Sequence, residues 1–275
     1  MKYRRPCKSG LQTVPFVLVA YLIFLAAPVV LLGIGSFGES WSNTLLPSGF
    51  TGRWYLEVAN DPSFRRAFVT SLQVVAVTAA INVLAGLPLA YAIHAGARGG
   101  VRFAARLVTL MPIAVPELVL AFGFILVFSS DTLPWLGSFW LLAAGHAVLT
   151  LPYTVTALVA DMDQLGLDEY EHAAATLGAS FFDRVRDVTL PLLSPSLLSA
   201  LLTVAALSIG EFQLSNLVAG FLSRTYPIVL LQAFYGATGF ACAATVVLLV
   251  LAIAASLASG VAARFAGGRQ AEPAA

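Results

Sequence analysis

Two glutamates are the residues best suited to chemistry in this sequence, because each lies within a long apolar stretch. Glu117 lies in MPIAVPELVLAFGF, residues 111–124, and Glu211 lies in SIGEFQLSN, residues 208–216. An ionised carboxylate in the hydrocarbon layer of a membrane costs about 3 kcal/mol or more. Each carboxyl group must therefore be protonated, paired with a neighbour or in contact with a water-filled cavity.

Glu117 has two interpretations that the sequence leaves open. A helix that begins near Leu107 places Glu117 roughly 15 Å along its axis, close to the centre of a bilayer. Pro112 and Pro116 beside it are typical of a broken or moving segment. Glu117 either touches a cationic or amine solute in a pathway, or forms a hydrogen bond to a neighbouring helix, for example through His146, with no further role.

Further polar residues lie in the Glu211 segment and in the second apolar segment. Near Glu211 they are Gln213, Ser215 and Asn216. Small and polar residues inside a membrane helix mark a contact between helices or the lining of a pathway. For Asn82, in the second apolar segment, the sequence favours a packing contact.

The sequence offers no residue set for an enzyme or a metal site. His94, His146 and His172 are scattered, and no His-Glu-x-x-His or Gly-x-Ser-x-Gly motif occurs. Cys7 and Cys242 are expected near opposite membrane faces, so they are not expected to pair or to bind a metal. No Gly-x-x-x-x-Gly-Lys phosphate loop occurs, so another polypeptide must bind any ATP that drives this protein.

The composition is that of an integral membrane protein. Of the 275 residues, 59% are hydrophobic and 11% are charged, and the mean hydropathy is +0.87. Soluble domains carry about 25% charged residues. The basic residues are spread among loops without interleaved aromatic residues, so no nucleic-acid partner is expected.

Six apolar blocks, each near or above the roughly 20 residues that a spanning helix needs, organise the chain. They cover residues 14–36, 69–94, 107–129, 136–160, 194–219 and 240–265. The sequence therefore predicts an all-α polytopic membrane protein with six transmembrane helices, whose transmembrane domain covers residues 14–265. Residues 1–13 are predicted to form a cytoplasmic segment and residues 266–275 a cytoplasmic tail.

The lysines and arginines predict the orientation of these helices, because cytoplasmic loops carry an excess of both. With the N-terminus inside, eleven of the fifteen lie in the cytoplasm: Lys2, Arg4, Arg5, Lys8, Arg98, Arg102, Arg106, Arg184, Arg186, Arg264 and Arg269. The other four lie outside: Arg53, Arg65, Arg66 and Arg224. Both termini are therefore predicted to be cytoplasmic.

A polar island, DEYEHAAATLGASFFDRVRDVTLP, separates the fourth and fifth apolar blocks at residues 168–191. Its first part predicts a short helix that ends at Gly178, a residue suited to a left-handed turn. Ser180 is predicted to cap a second helix, and Pro191 is predicted to stop it. The small side chains of Ala173 and Ala174 allow another protein to approach closely.

This island resembles the cytoplasmic loop of ATP-binding-cassette (ABC) importer permeases. Their pattern is Glu-Ala-Ala, three residues, Gly, nine residues, Ile, one residue and Leu-Pro. Its positions fall here on His172, Ala173, Ala174, Gly178, Val188, Leu190 and Pro191. His172 stands where the family has Glu, and Glu171 precedes it. The resemblance implies a cytoplasmic coupling helix between helices 4 and 5, with Glu171 and these seven residues seating the loop against an ATPase.

The segment around Glu211 resembles the branch of these permeases that serves sulfate, molybdate, thiamine, ferric iron, polyamines and 2-aminoethylphosphonate. That branch has Gly-Glu-Phe in the same helix, so Gly210, Glu211 and Phe212 would line or gate the pathway, beside Gln213 and Asn216. The same acid serves importers of anions and cations, so Glu211 does not report the charge of the solute. The outer LPSGF, residues 46–50 and expected to form a turn, looks most like permeases for spermidine and putrescine or for 2-aminoethylphosphonate.

The resemblance also implies the partners. They are a pair of ATPase subunits that bind ATP and Mg²⁺, a second permease that is more often a different chain than a copy, and an extracytoplasmic solute-binding protein. The chain itself would hold no cofactor and would be a multi-pass protein of the bacterial inner membrane. The alternatives are another solute of the same branch, and a proton-driven secondary transporter with Glu117 or Glu211 as the proton relay.

Overall fold

The computed structural model describes residues 8–41, 47–96 and 99–268 of the chain. The chain divides into two compact units: residues 1–61 with 230–247, and residues 62–229 with 248–275. Several residues of the sequence predictions lie outside the described ranges: Cys7, Lys2, Arg4, Arg5, Arg98 and Arg269. Most of the predicted N-terminal segment and of the predicted tail lies outside them as well.

Most of the described residues are helical. In chain order the helices are α1 Lys8–Ser36, α2 Arg53–Asn60, α3 Pro62–Ile81, α4 Leu87–Tyr91, α5 Gly99–Ala114, α6 Glu117–Phe128, α7 Phe139–Leu165, α8 Leu167–Thr176, α9 Phe181–Arg184, α10 Leu190–Gly210, α11 Gln213–Val218, α12 Tyr226–Ala233 and α13 Thr238–Gly268. Short π-helical turns at Asn82–Gly86, Ala92–Gly96 and Val185–Thr189 join some of them, and a 3-10 turn covers Phe221–Ser223.

The predicted helical fold is confirmed, with a small hairpin in the first unit as an exception among the described residues. Strand β1, Gly38–Ser40, pairs in antiparallel register with strand β2, Ser48–Phe50. The predicted turn over residues 46–50 is therefore wrong for its last three residues. Trp54 Nε1–H donates to the Gly38 carbonyl at 2.7 Å, which holds α2 against the hairpin. Strands of three residues are too short to show a recognisable alternation of side chains in the sequence.

Five helical runs among the described residues are long and apolar enough to cross a membrane. They cover Val17–Ser36, Pro62–Gly96, Phe139–Leu165, Phe181–Gly210 and Thr238–Ala258. A bent pair of helices raises the number to six if the pair counts as one span. Each run overlaps one of the predicted apolar blocks, and the bent pair overlaps the third block.

The predicted third helix, residues 107–129, is not continuous. It consists of α5 and α6, which are bent by 94° at the residues between Ala114 and Glu117. Pro116, in that gap, is extended, with φ −55° and ψ 135°. Proline lacks a backbone N–H and disfavours a helical conformation in the preceding residue, so the helix ends here. The continuous helix from which the depth of Glu117 was predicted is therefore wrong.

The predicted fifth helix, residues 194–219, is broken as well. α10 ends at Gly210, and α11 begins at Gln213. Glu211 between them is extended, with φ −69° and ψ 127°. The polar cluster around Glu211 therefore lies at a break between two helices and not within one helix.

The predicted stop at Pro191 is wrong, because one helical run continues from Phe181 to Gly210. The π turn Val185–Thr189 comes directly before α10. Local π adjustments are one way in which membrane helices accommodate a proline, which cannot donate a backbone hydrogen bond. The segment 168–191 therefore joins the fifth span without a break after residue 181.

α7 is the central helix of the second unit and contacts α3, α4, α5, α10 and α11. Near its C-terminal end, Leu158 and Met162 pack with Leu193 of α10. Near its N-terminal end, Leu142 packs with Leu214 of α11. α10 and α11, which flank Glu211, thus pack on α7, and α6, which begins at Glu117, packs on α11.

The prediction for Asn82 is confirmed. Its Nδ2 group donates to the Thr78 carbonyl and to Thr150 Oγ1, each at 2.9 Å. Its Oδ1 atom accepts a hydrogen bond from Thr154 Oγ1 at 2.9 Å. Asn82 is fully buried, and these bonds tie the second span to α7. The side chain is a packing contact between two helices.

Candidate functional site

The two broken spans meet at a cavity of about 470 Å³ in the second unit. The residues around it come from five helices or their ends and include Pro112, Glu117, His146, Tyr153 and Glu211. Both acids that the sequence analysis selected therefore face the same space. The two helix breaks place them there, because each acid lies at the break itself.

Glu211 binds the N-terminus of α11. Its Oε1 accepts the Leu214 N–H at 2.6 Å, and its Oε2 accepts the Ser215 N–H at 2.9 Å and the Ser215 hydroxyl. A negative charge is favourable at a helix N-terminus, where backbone N–H groups have no partner within the helix. The carboxylate is buried. Glu211 therefore holds the break in a fixed shape.

His146 of α7 completes this cluster and is only 1% exposed. Its Nδ1 lies 2.7 Å from Ser208 Oγ, and its Nε2 lies 2.8 Å from Ser215 Oγ. The Nε2 atom is also 3.4 Å from Glu211 Oε2. His146 thus contacts both sides of the break. The hydrogen bond from His146 to Glu117, which is one of the two open interpretations of Glu117, does not occur among the described residues. The signal for this cluster is that Ser208 and Ser215 flank Glu211 in an otherwise apolar sequence.

Glu117 has a different environment from Glu211. It is the first residue of α6, is half-buried and faces the cavity. Among the described residues, no hydrogen bond or ion pair engages its carboxylate, and no Lys or Arg lines the cavity. The Glu117 carboxylate is therefore available to a polar or cationic group that enters the cavity.

The other predicted pathway residues divide into two groups. Gly210, Phe212 and Gln213 line the same cavity as the two acids. Asn216, one turn further along α11, is exposed but is not part of the cavity wall. The structure thus brings together five of the six residues that the sequence analysis assigned to the pathway.

The helix-turn-helix prediction for residues 168–191 agrees with the structure up to its end. α8 is followed by Gly178 in the left-handed conformation, with φ +86°. Ser180 Oγ accepts the Asp183 N–H at 3.3 Å, and the Asp183 carboxylate accepts the Ser180 N–H at 3.1 Å. This reciprocal pair caps α9.

The surface of this loop is apolar around the turn. His172 and Ala173 are exposed, Ala174 and Val188 are half-buried, and Leu190 and Pro191 are exposed. Leu177 and Phe182, which the sequence analysis did not select, are 89% and 79% exposed. Large apolar side chains at such exposure are typical of a contact surface for another protein. The sequence feature that could have identified these two residues is the presence of Leu and Phe close to a turn-forming glycine.

Glu171 faces the inside of the protein and is 8% exposed. Its Oε2 accepts the Tyr91 hydroxyl at 2.8 Å, and its Oε1 accepts the Thr189 hydroxyl at 2.7 Å. Tyr91 also packs edge-on against Phe181, with ring centroids 5.9 Å apart. Glu171 therefore fixes α8 to the second and fifth spans of its own chain. Of the neighbouring residues Glu171 and His172, His172 is the exposed one.

The sequence profile of the family described as binding-protein-dependent transport system inner membrane component matches residues 82–265. The chain belongs to this family. The matched region contains the loop 168–191, both acids of the cavity and all helices around them. The protein is thus a permease of an ABC importer and a multi-pass membrane protein of bacteria.

Two relatives show where the permease stands within the family. It is 30% identical over 195 residues to PhnV of Salmonella typhimurium, a protein named for 2-aminoethylphosphonate transport; the match covers 70% of the permease and 71% of PhnV. It is 27% identical over 256 residues to PotC of Escherichia coli, a spermidine/putrescine transport system permease protein. This match covers 90% of the permease and 92% of PotC.

Solved structures share the fold of the permease. A bacterial ABC transporter that imports the acidic polysaccharide alginate matches with a TM-score of 0.66 and 14% identity, over 92% of the permease and 96% of the solved chain. The alginate transporter in complex with its alginate pentasaccharide-bound periplasmic protein matches with a TM-score of 0.70 and 16% identity, over 91% and 92%. At these identities the likeness concerns the fold alone.

Proposed function

We propose that the permease forms the solute pathway of an ATP-driven importer in the bacterial inner membrane and couples that pathway to a separate ATPase through residues 168–191. The observation that carries this proposal is the exposed turn at Gly178 between two transmembrane spans, with Leu177 and Phe182 projecting from it. ATP and Mg²⁺ bind to the partner ATPase, and the permease holds no cofactor.

In the proposed topology, α5 and α6 together form one broken span, which gives six spans with both termini in the cytoplasm. Residues 14–265 then form the transmembrane domain, residues 1–13 a cytoplasmic segment and residues 266–275 a cytoplasmic tail. The distribution of lysine and arginine supports this orientation. In the proposed orientation, the loop 168–191 lies on the cytoplasmic side of the membrane, where ATP is found.

The proposed assembly contains two permease chains, two ATPase subunits and an extracytoplasmic solute-binding protein. Closure of the ATPase pair on ATP moves the two coupling loops together. Because the helix runs without a break from Phe181 to Gly210, this movement reaches the pathway residues at Glu211. The second permease chain is a related but different chain, as is common in the branch that the sequence resembles.

Within the coupling loop, His172, Ala173, Ala174, Gly178, Val188, Leu190 and Pro191 form the proposed ATPase contact and its support. Glu171 has a supporting role, because its carboxylate is already bonded to Tyr91 and Thr189. In the pathway, Glu117, Gly210, Phe212 and Gln213 line the cavity, Glu211 holds it open, and Asn216 lies beside it.

We propose a solute with an amine, of the spermidine, putrescine or 2-aminoethylphosphonate type. The relatives named for these solutes support the choice. The cavity supports it as well, because among the described residues the Glu117 carboxylate has no hydrogen-bond partner and no Lys or Arg lines the wall that an ammonium group would meet. Ferric iron, thiamine, sulfate and molybdate are the other solutes of the branch, and sulfate and molybdate carry no ammonium group that could meet Glu117.

The test is to purify the permease from its native membrane in detergent and to identify the chains that accompany it by mass spectrometry. We expect an ATPase, a second permease chain and a solute-binding protein. In proteoliposomes, the complex should take up spermidine or 2-aminoethylphosphonate only with ATP inside. A permease that is recovered alone, with uptake that follows a proton gradient and ignores ATP, would overturn the proposal in favour of a secondary transporter.

A further inference from the structure

Asp163 lies near the C-terminal end of α7, three residues before the left-handed Gly166 that leads into α8. Its carboxylate binds three basic side chains. Oδ1 lies 2.9 Å from His94 Nδ1 and also accepts Arg102 Nη2–H, and Oδ2 accepts Arg106 Nη2–H at 2.8 Å. His94 belongs to the end of the second span, whereas the two arginines belong to α5. Asp163 therefore joins three elements.

The same group of side chains reaches α8 itself. His94 Nε2 lies 3.3 Å from the Oδ1 of Asp168, in the first turn of α8. The His94 side chain is 6% exposed, so it is held between the two acids. These acids lie on either side of Gly166, whose φ is +64°. His94 thus contacts acids on both sides of the joint between α7 and α8, with a hydrogen bond to Asp163 and a 3.3 Å contact to Asp168 that is not a hydrogen bond.

At its other end, α5 forms part of the cavity wall. From Arg106 to Pro112, which lines the cavity, α5 extends over six residues, or about 9 Å. After the bend at Pro116 the chain continues to Glu117. A displacement of the basic end of α5 therefore acts on the wall that carries Glu117.

Charge explains why Asp163 is needed at this point. Arg102 and Arg106 are like charges one helical turn apart, which repel each other unless an acid lies between them. Asp163 is the acid that both arginines contact among the described residues. Its side chain is 38% exposed, and ion pairs at such exposure contribute little to folding stability. Substitution of Asp163 should therefore have a larger effect on the movement of α5 than on the folding stability of the protein.

We propose that Asp163 is a positioning residue that makes α5 move together with the coupling helix α8. It thereby gives the permease a second mechanical link between the coupling loop and the cavity, in addition to the continuous helix of the fifth span. This inference rests on the proposed coupling function of residues 168–191.

The test measures the distance between spin labels on Val101 of α5 and Glu169 of α8, both exposed, in a variant without Cys7 and Cys242. The complete complex is measured without nucleotide and after trapping with MgATP and vanadate. We expect one narrow distance that trapping leaves unchanged. Asp163→Asn should broaden this distance or make it depend on nucleotide, and Asp163→Glu should restore it.

Asp131→Asn is the matched control, because Asp131 is an exposed acid in the turn after α6 and contacts none of these groups. Arg106→Gln removes the ion pair with Asp163 from the arginine side and should broaden the same distance. This variant keeps the test decisive if Asp163→Asn does not assemble into the complex. Stimulation of ATP hydrolysis by the co-purified binding protein should fall about fivefold or more in Asp163→Asn.

Two results would overturn the inference: a parent distance that changes on trapping, or a variant distance that equals that of the parent. Failure of the proposed coupling function gives a different result from failure of this inference. A permease that couples to no ATPase gives no vanadate-trapped state even in the Asp131→Asn control.

Discussion

Glu117 and Glu211 share one cavity, but their surroundings assign them different tasks. Both oxygens of Glu211 accept hydrogen bonds from α11, and His146 lies against one of them. Glu117 has no such partner among the described residues and faces the open space. Glu211 already uses three of the roughly four acceptor positions of a carboxylate, whereas those of Glu117 are open to a solute. The two acids should therefore respond differently to substitution.

Glu211→Ala is expected to destabilise the permease. The substitution leaves the buried Leu214 and Ser215 N–H groups without their acceptor, and one such unsatisfied donor costs about 1–3 kcal/mol. The measurement is thermal unfolding of the purified protein in detergent. Glu117→Ala serves as the control and should unfold at the temperature of the parent. Equal midpoints for parent and Glu211→Ala would show that the carboxylate does not hold the break.

Glu117→Gln is expected to lower ATP-driven uptake of spermidine about tenfold, because a hydrogen bond to a charged group contributes about 1.5–3 kcal/mol. Uptake is measured in proteoliposomes with the complete complex. Glu57→Gln, at an exposed acid of α2, is the matched control and should transport like the parent. Normal uptake by Glu117→Gln would remove this acid from the pathway.

At the scale of elements, the coupling loop depends on one backbone conformation. Gly178 has φ +86°, and a Cβ atom added there would meet no atom within 4 Å. A side chain at this position therefore has space, and its penalty comes from the backbone alone. For residues other than Gly, Asn and Asp, this left-handed region is strained by about 1–3 kcal/mol.

Gly178→Val is expected to reach the membrane and to lose ATP-driven uptake, because the β-branched side chain opposes the turn between α8 and α9. Gly178→Asn is the matched control and should retain most uptake, since Asn tolerates the left-handed conformation. Immunoblots of membranes give the amount of each variant, and proteoliposome uptake gives its activity. Wild-type uptake by Gly178→Val would contradict the docking role of the loop.

At the scale of the whole molecule, the proposed function requires the chain to present two surfaces to opposite compartments. The hairpin around Phe50 belongs to the first unit, and the loop around Leu177 belongs to the second. Both side chains are exposed. The proposed topology, which rests on the distribution of lysine and arginine, predicts Leu177 on the cytoplasmic side and Phe50 on the outer side.

Cysteine labelling should confirm this orientation. In a variant without Cys7 and Cys242, Phe50→Cys should react with a membrane-impermeant maleimide in spheroplasts. Leu177→Cys should react only after the membrane is permeabilised. Labelling of Leu177→Cys in intact spheroplasts would place the coupling loop outside and exclude its contact with an ATPase.

Local patterns in the sequence were sufficient for much of this protein. Apolar blocks of membrane length located the spans, and the spacing of Gly178 and Ser180 located the helix-turn-helix of the coupling loop. These features depend on residues that are close in the chain, through hydrophobic burial, left-handed backbone and capping bonds. The same holds for Pro116, whose missing N–H already indicated a broken segment.

Tertiary structure alone decided which polar groups meet. His146 binds Ser208 and Ser215 and not Glu117. Glu171 binds Tyr91 and Thr189. Asp163 binds basic side chains from two other elements. Such pairs join residues that are far apart in the chain, so no local spacing specifies them. A buried polar group takes whichever partner the packed helices bring within about 3 Å. That selection bonded Glu211 to the N-terminal end of α11 and left Glu117 without a hydrogen-bond partner among the described residues.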